Sequence, residues 1–204
     1  MTITPCRPKW KGTMTDRERF RRQMHWQPVD RSFNMEFGYW NENFTEWDIF
    51  ANNGITSNAE ADIFFNFDRI AIVSGNVWMS PPFPPQVIED RGDTIIRLDG
   101  NGLWVETPKD GHSTIPVYHR SSIVTPDDWQ REKELRFQRG TDARKVNVAA
   151  LRKAYPPERD FPVGVNCGSM IGRIRDMLTF EGIAYAIYDY PDMLEDMVET
   201  ACLL

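Results

Sequence analysis

Residues 161–204 read FPVGVNCGSMIGRIRDMLTFEGIAYAIYDYPDMLEDMVETACLL. The stretch opens on a short apolar run, Phe161–Val165, bounded upstream by the turn-forming Tyr155-Pro-Pro. A run of that length behind a turn signal predicts a strand buried on both faces. Asn166, Cys167, Gly168 and Ser169 follow and are small or polar enough to turn the chain. Ile171, Ile174, Met177 and Leu178 then recur at three- and four-residue spacing, which predicts a helix running through Phe180. Strand, tight turn and helix make up the repeating unit of a parallel α/β fold. In such folds the loop after each strand faces the ligand.

Working outward, two further stretches read as core strands. Ser32–Tyr39 alternates Phe33, Met35 and Phe37 with Asn34 and Glu36, one apolar face against one polar face. Ile70–Gly75 is a short apolar run ending in small residues. Thr15-Asp-Arg-Glu18 has the form of a capping box, and Phe20 and Met24 add an apolar pair before Pro28 stops the helix. Asn41–Asn53 and Asn58–Phe65 read as helices, the first carrying Phe44, Trp47 and Phe50. Ser80-Pro-Pro-Phe-Pro-Pro is a rigid connector, because each proline fixes φ and removes a donor. It leads into an antiparallel excursion with strands at 86–89, 94–98 and 103–107. Arg91-Gly-Asp93 and Asp99-Gly-Asn-Gly102 are the turns between them. Pro126–Phe137 is a helix capped by Thr125, a shorter one ends at Pro156-Pro157, and a last one starts at Asp192.

Composition narrows the classes. A net charge of −6 argues against nucleic acid or an anionic membrane surface as partner. Asp16 and Glu18 interrupt the cluster Arg17, Arg19, Arg21 and Arg22, which reads as a solvated helix face. Cys6, Cys167 and Cys202 are odd in number and lack C-x-x-C spacing, which fits a reduced, cytoplasmic setting. No stretch approaches the roughly 18 apolar residues of a membrane span, and the N-terminus lacks a signal-peptide core. His25, His112 and His119 have no metal-ligand spacing, so no metal site is assigned. Three core strands (32–39, 70–75 and 161–166) leave an open sheet edge, and the last helix runs into Cys202-Leu-Leu204 without a cap. The expectation is a segment completed by further chain or by another copy.

Site candidates come from position. Residues at strand C-terminal ends converge on one mouth: Glu36 and Tyr39, then Ser74 and Asn76, then Asn166 and Cys167. A carboxylate, two amides and a thiol suit a polar small-molecule ligand. Glu36, flanked by Met35 and Phe37, is the candidate catalytic group, since burying an ionisable side chain there is costly without a role. Backbone N–H groups at the helix start after Gly168, with Arg173 and Arg175, are a candidate anion site.

Several stretches in order resemble the uroporphyrinogen decarboxylase superfamily. Met14-Thr-Asp-Arg-Glu-Arg-Phe with Gln27-Pro-Val-Asp-Arg31 is similar to that family's first helix and the approach to its first strand. Phe64-Phe-Asn-Phe-Asp68 resembles its segment before the second strand. Ser113-Thr-Ile-Pro116 with Pro126-Asp-Asp-Trp129 resembles the insertion of its methyltransferase-like branch. Phe180-Glu-Gly and Tyr188-Asp-Tyr-Pro-Asp192 resemble the helix pair after the third strand. The resemblance implies an α/β fold, the N-terminal portion of a TIM (β/α)8 barrel with an inserted antiparallel β excursion at about 86–120, as one incomplete domain over 1–204. Position at the strand ends, not the resemblance, makes Glu36 the candidate catalytic residue, with Tyr39, Asn76, Asn166, Cys167, Arg173 and Arg175 as candidates around the substrate. No cofactor is implied for this segment; zinc and a corrinoid partner belong to a full-length relative of the methyltransferases. The decarboxylase branch carries Arg-Gln-x-Gly-Arg where this chain has Glu36-Phe-Gly-Tyr-Trp40, so porphyrinogen decarboxylation is the alternative rather than the leading activity. A non-catalytic binding or assembly module is the other alternative. On this reading residues 1–204 alone have weak or no activity and self-associate; sedimentation of a monomer that also melts cooperatively would contradict it.

Overall fold

The computed structural model describes residues 3–73, 75–112 and 114–204. In chain order the elements are α1 (Asp16–Met24), α2 (Asn43–Glu46), α3 (Asp48–Ala51), α4 (Asn58–Phe65) and β1 (Ala71–Val73). Next come β2 (Gln86–Asp90), β3 (Thr94–Leu98), β4 (Leu103–Pro108), β5 (Val117–Ser121) and α5 (Pro126–Arg136). A 3-10 turn at Asp142–Arg144 precedes α6 (Val148–Ala154), β6 (Val163–Val165), α7 (Met170–Asp189) and α8 (Pro191–Cys202). The expected strand end at Ser74, Ser113 in the insertion, and the first two residues of the leader lie outside the described residues. The chain divides into two compact units, Met1–Val73 with Asn147–Val165, and Ser74–Val146 with Asn166–Leu204.

In the first unit β1 and β6 pair in parallel, Ala71 opposite Val163 and Val73 opposite Val165. This is the expected parallel α/β signature, and the fold is mixed α/β. The described strands form this pair and one four-stranded antiparallel sheet, with no closed barrel. Phe44, Phe50, Ile55, Ala61 and Phe64 form the core of the unit. The expected long helix over 41–53 is instead two single turns, α2 and α3, broken at the extended Trp47. Spacing alone placed Phe44, Trp47 and Phe50 on one face; Trp47 stacks on Phe50 across the break, ring planes 7° apart.

The strand expected at 32–39 does not form. Its backbone donors are taken by side chains rather than by a neighbouring strand. The Phe33 amide donates to Gln23 Oε1 at 2.8 Å, Asn34 to Asp68 Oδ2 at 3.0 Å, and Tyr39 to Asn58 Oδ1 at 2.8 Å. Gly38, at φ 140°, adds a turn that a strand would not tolerate.

Arg19 also departs from expectation. Its guanidinium is 2% exposed, not on a solvated face. It donates to Asp30 at 2.8 and 2.9 Å, to Asp16 at 3.0 Å and to the Met14 carbonyl at 2.7 Å. Asp68, whose carboxyl is fully buried, accepts two hydrogen bonds from Arg31 at 2.5 and 2.6 Å, with Lys9 at 3.4 Å and Arg19 at 3.7 Å. A buried charge needs such partners, because stripping it of water costs several kcal/mol. Thr15 caps α1 by accepting from the Glu18 amide at 3.1 Å, but the Glu18 carboxylate pairs with Arg22 rather than closing the box.

In the second unit β2–β5 form a meander, β2-β3-β4-β5. The sequence foresaw the first three strands and their turns but not β5. Thr125 caps α5 in a full capping box with Asp128. Trp129 and Met197 are fully buried in a core with Phe137, Ile174, Met177 and Met193. Burying one such side chain fully is worth about 1.5–3 kcal/mol. The Trp129 indole donates to Asp196 Oδ2 at 2.7 Å, so its one polar atom is satisfied. The proline connector is packed rather than free: Phe83 is buried beneath the Arg136 guanidinium at 3.8 Å, and that guanidinium donates to the Pro81 and Pro82 carbonyls. The α7 helix runs past its expected end at Phe180, although Thr179, at φ 69° and ψ 169°, breaks its regularity. No helix among the described residues is long and apolar enough to cross a membrane.

Replacing Asp68 with Asn leaves Arg31 beside a neutral amide and is expected to destabilise the chain by about 3 kcal/mol in urea titration. Burial alone pushes the Asp68 carboxyl up, but the hydrogen bonds from Arg31 and the Asn34 amide pull it down to about 2. A folded-state value below the ordinary one means the carboxylate stabilises above about pH 4, and that contribution fades as the pH falls towards 2. The difference between wild type and Asp68→Asn is therefore expected to shrink over that window.

Candidate functional site

The expected site residues fall into two groups. Glu36 and Tyr39 belong to the first unit; Asn76, Asn166, Cys167, Arg173 and Arg175 belong to the second.

Glu36 is exposed, with Phe37 beside it 95% exposed. The burial that singled it out is therefore absent, because 32–39 is not a strand with an inward face. One Glu36 oxygen accepts from the Phe37 amide at 2.8 Å. Tyr39 packs edge-on to Phe50 at 4.9 Å and Phe44 at 6.1 Å, as part of the core. Burial first, and then the Glu36 and Asp62 charges, push the Tyr39 phenol up. Desolvation and then Glu36 push the Asp62 carboxyl up in the same way. Tyr39 and Asp62, both close to the Glu36 charge, thus hold their protons more firmly than usual. Asp62 was not foreseen, since nothing in its helical stretch marked it.

In the second unit, the segments that follow β1 and β6 in sequence come together. The Asn166 side chain accepts from the Gly168 amide at 2.9 Å, and Ser169 caps α7 by accepting from the Gly172 amide at 3.1 Å. Gly168 sits at φ 69°, and a Cβ there would lie 2.3 Å from Arg173 Nε. The positive φ is what calls for glycine here; the Arg173 side chain could swing aside from a Cβ. The Arg173 guanidinium lies 4.6 Å from the centre of the Trp78 ring, a cation–π contact between the two segments. Arg144 donates to the Asn76 and Trp78 carbonyls at 2.8 and 2.6 Å, and to the Arg136 and Gln138 carbonyls. Its partners are all neutral, and burial pushes its guanidinium down. The Asn76 amide donates to the Ala143 carbonyl at 3.3 Å, so it supports the turn at 142–144. Cys167 is an exposed free thiol. Arg175 pairs with its neighbour Asp176 at 2.9 Å and does not join Arg173.

Among the described residues, Arg144 and Arg173 thus flank the 76–78 segment, and neither pairs with a carboxylate. Two such cations are suited to an anionic ligand group. Trp78 and Arg144 were missed in the sequence, where neither lies in a motif. Among the described residues no group of three or more His, Cys, Asp or Glu side chains is arranged to hold a metal ion.

Comparison of the chain with family models, with curated proteins and with solved structures finds no match.

Gly168→Ala is expected to lower stability by about 1–2 kcal/mol, more than Arg173→Gln does, because it strains the backbone as well as displacing the guanidinium. Thermal melts of the two variants side by side check this.

Proposed function

We propose that the chain is the N-terminal portion of a (β/α)8 barrel of the uroporphyrinogen decarboxylase superfamily, from the branch related to corrinoid-dependent methyltransferases. The observation that carries this reading is the ion network of the first unit. Three of the stretches that resemble the family supply it: Asp16 and Arg19 from the first helix, Asp30 and Arg31 from the segment after it, and Asp68 from the segment before β1. Stretches that resemble a family one by one, far apart in sequence, thereby meet in a single set of buried bonds. The parallel pairing of β1 with β6 supports the barrel part of the reading.

On this reading the chain's own residues bind rather than transform. Arg173, held over Trp78, and Arg144 attract an anionic group, and Asn166 and Cys167 border it. Zinc and the corrinoid belong to the full-length protein; the described residues bring together no ligand set for zinc, and no step is assigned to it here. Porphyrinogen decarboxylation is less well supported, because Glu36-Phe-Gly-Tyr-Trp40 lacks the arginines that would hold several substrate carboxylates.

The test uses protein expressed from the whole open reading frame with zinc, and follows methyl transfer from methylcob(III)alamin to a thiol by the loss of alkyl-cobalt absorption. Zinc-dependent demethylation is the expected result, falling about tenfold or more in Arg173→Gln, a loss of roughly 1.4 kcal/mol of transition-state binding. Loss of carboxyl groups from a porphyrinogen, or no reaction with either substrate, would overturn it.

A further inference from the structure

A cleft of about 430 Å³ lies in the second unit between β5, the second half of α7 and the start of α8. Its size is that of a small-molecule site. Two features of α7 make the space. Thr179 takes a left-handed backbone conformation that is unfavourable for a β-branched residue. Its hydroxyl caps the renewed helix by accepting from the Gly182 amide at 3.2 Å. Gly182 and Ala186, one turn apart, then keep the helix surface low where it lines the cleft. Ile123, Leu178, Ala186 and Met193 form an apolar floor, all of them buried. A strained residue of this kind costs on the order of 1–3 kcal/mol and persists where the surroundings fix it, most often at sites that bind.

The lining carries charges of both signs. Glu181, Tyr185 and Asp189 line it from α7 at four-residue spacing, and His119 and Arg120 line it from β5. His119 already bonds Glu106 at 2.7 Å. Arg120 rests on the Trp104 ring at 4.8 Å and has no carboxylate partner among the described residues. Asp189 stands at the C-terminal end of α7, where the helix dipole disfavours a negative charge, and no cation pairs with it among the described residues. The Glu181 hydrogen bond, and then the Glu181 and Asp189 charges, push the Tyr185 phenol up. Tyr185 and Tyr190 offer ring faces beside Asp189, an arrangement suited to an organic ammonium group.

We propose that this cleft binds a small zwitterion of the amino-acid type. Its ammonium group lies against Asp189 and the two tyrosines, its carboxylate against Arg120, and its apolar side chain on the floor formed by Ile123, Leu178 and Met193. None of the residues given a role in the proposed function is used, so the two stand or fall separately.

The test titrates the full chain with L-phenylalanine, 2-phenylethylamine and 3-phenylpropionate, read by calorimetry and by saturation-transfer NMR. Phenylalanine is expected to saturate, and each analogue with a single charge to bind about tenfold more weakly. Asp189→Asn is expected to weaken phenylalanine and phenylethylamine while leaving phenylpropionate unchanged. Arg120→Gln is expected to do the reverse with the two analogues. Both positions are exposed, so the fold survives either change. Failure of phenylalanine to saturate, equal binding by all three probes, or unchanged affinities in both variants would overturn the proposal.

Discussion

A carboxylate with no exposed surface sets the terms for the first unit. Asp68 keeps its charge only because Arg31 grips both oxygens while Lys9 and Arg19 stand within 4 Å. Arg19 is itself buried and balanced by Asp30 and Asp16. Three cations and three carboxylates thus cancel within one cluster, the condition under which charges leave water without a prohibitive cost. The backbone around the cluster is fixed by the same groups. Asp30 accepts from the Thr13 and Met14 amides, Asp16 from Arg69, and Asp68 from Asn34. The segment at 32–39 is held by this network and by Gln23 and Asn58 rather than by a sheet, and β1 begins three residues after Asp68.

In the second unit, arginines with carbonyl partners do comparable work. Arg136 draws the proline connector onto α5 through the Pro81 and Pro82 carbonyls, and pairs with Glu132 beside them. Arg144 gathers the carbonyls of 76, 78, 136 and 138. A planar guanidinium with five donors suits this clasping of irregular backbone, where a lysine would supply a point charge without the fork. The segments carrying Trp78 and Arg173 are therefore braced before any ligand arrives, which is what a binding site on loops requires.

Around Trp78 the two guanidiniums differ in kind. Arg144 is committed to backbone carbonyls, whereas Arg173 lies on the indole ring and pairs with no carboxylate among the described residues. The cleft beside α7 is lined by carboxylates and an arginine around apolar side chains.

Local rules were legible in the sequence wherever the physics is local. Thr15 and Thr125 mark helix starts because their side chains reach N–H groups three residues on, and glycine-rich turns placed β2, β3 and β4. The Phe161–Val165 run does supply a strand, over Val163–Val165, but not one buried on both faces, since Val165 is exposed. Alternation at 32–39 misled because period two records which side chains share a face, not whether a neighbouring strand exists to accept the backbone hydrogen bonds. The arginine-rich α1 misled because spacing cannot distinguish a charge in water from one balanced by Asp30 and Asp68, which lie far along the chain. Trp78 against Arg173, the Asp68 cluster and the cleft beside Thr179 each depend on segments distant in sequence being brought within a few ångströms. Sequence alone determined where the chain turns and where its helices are capped, since those depend on neighbours within a few residues. Tertiary structure alone decided which charges lose their water and which loops meet, because desolvation and long-range contact belong to the folded surface and not to any stretch of it.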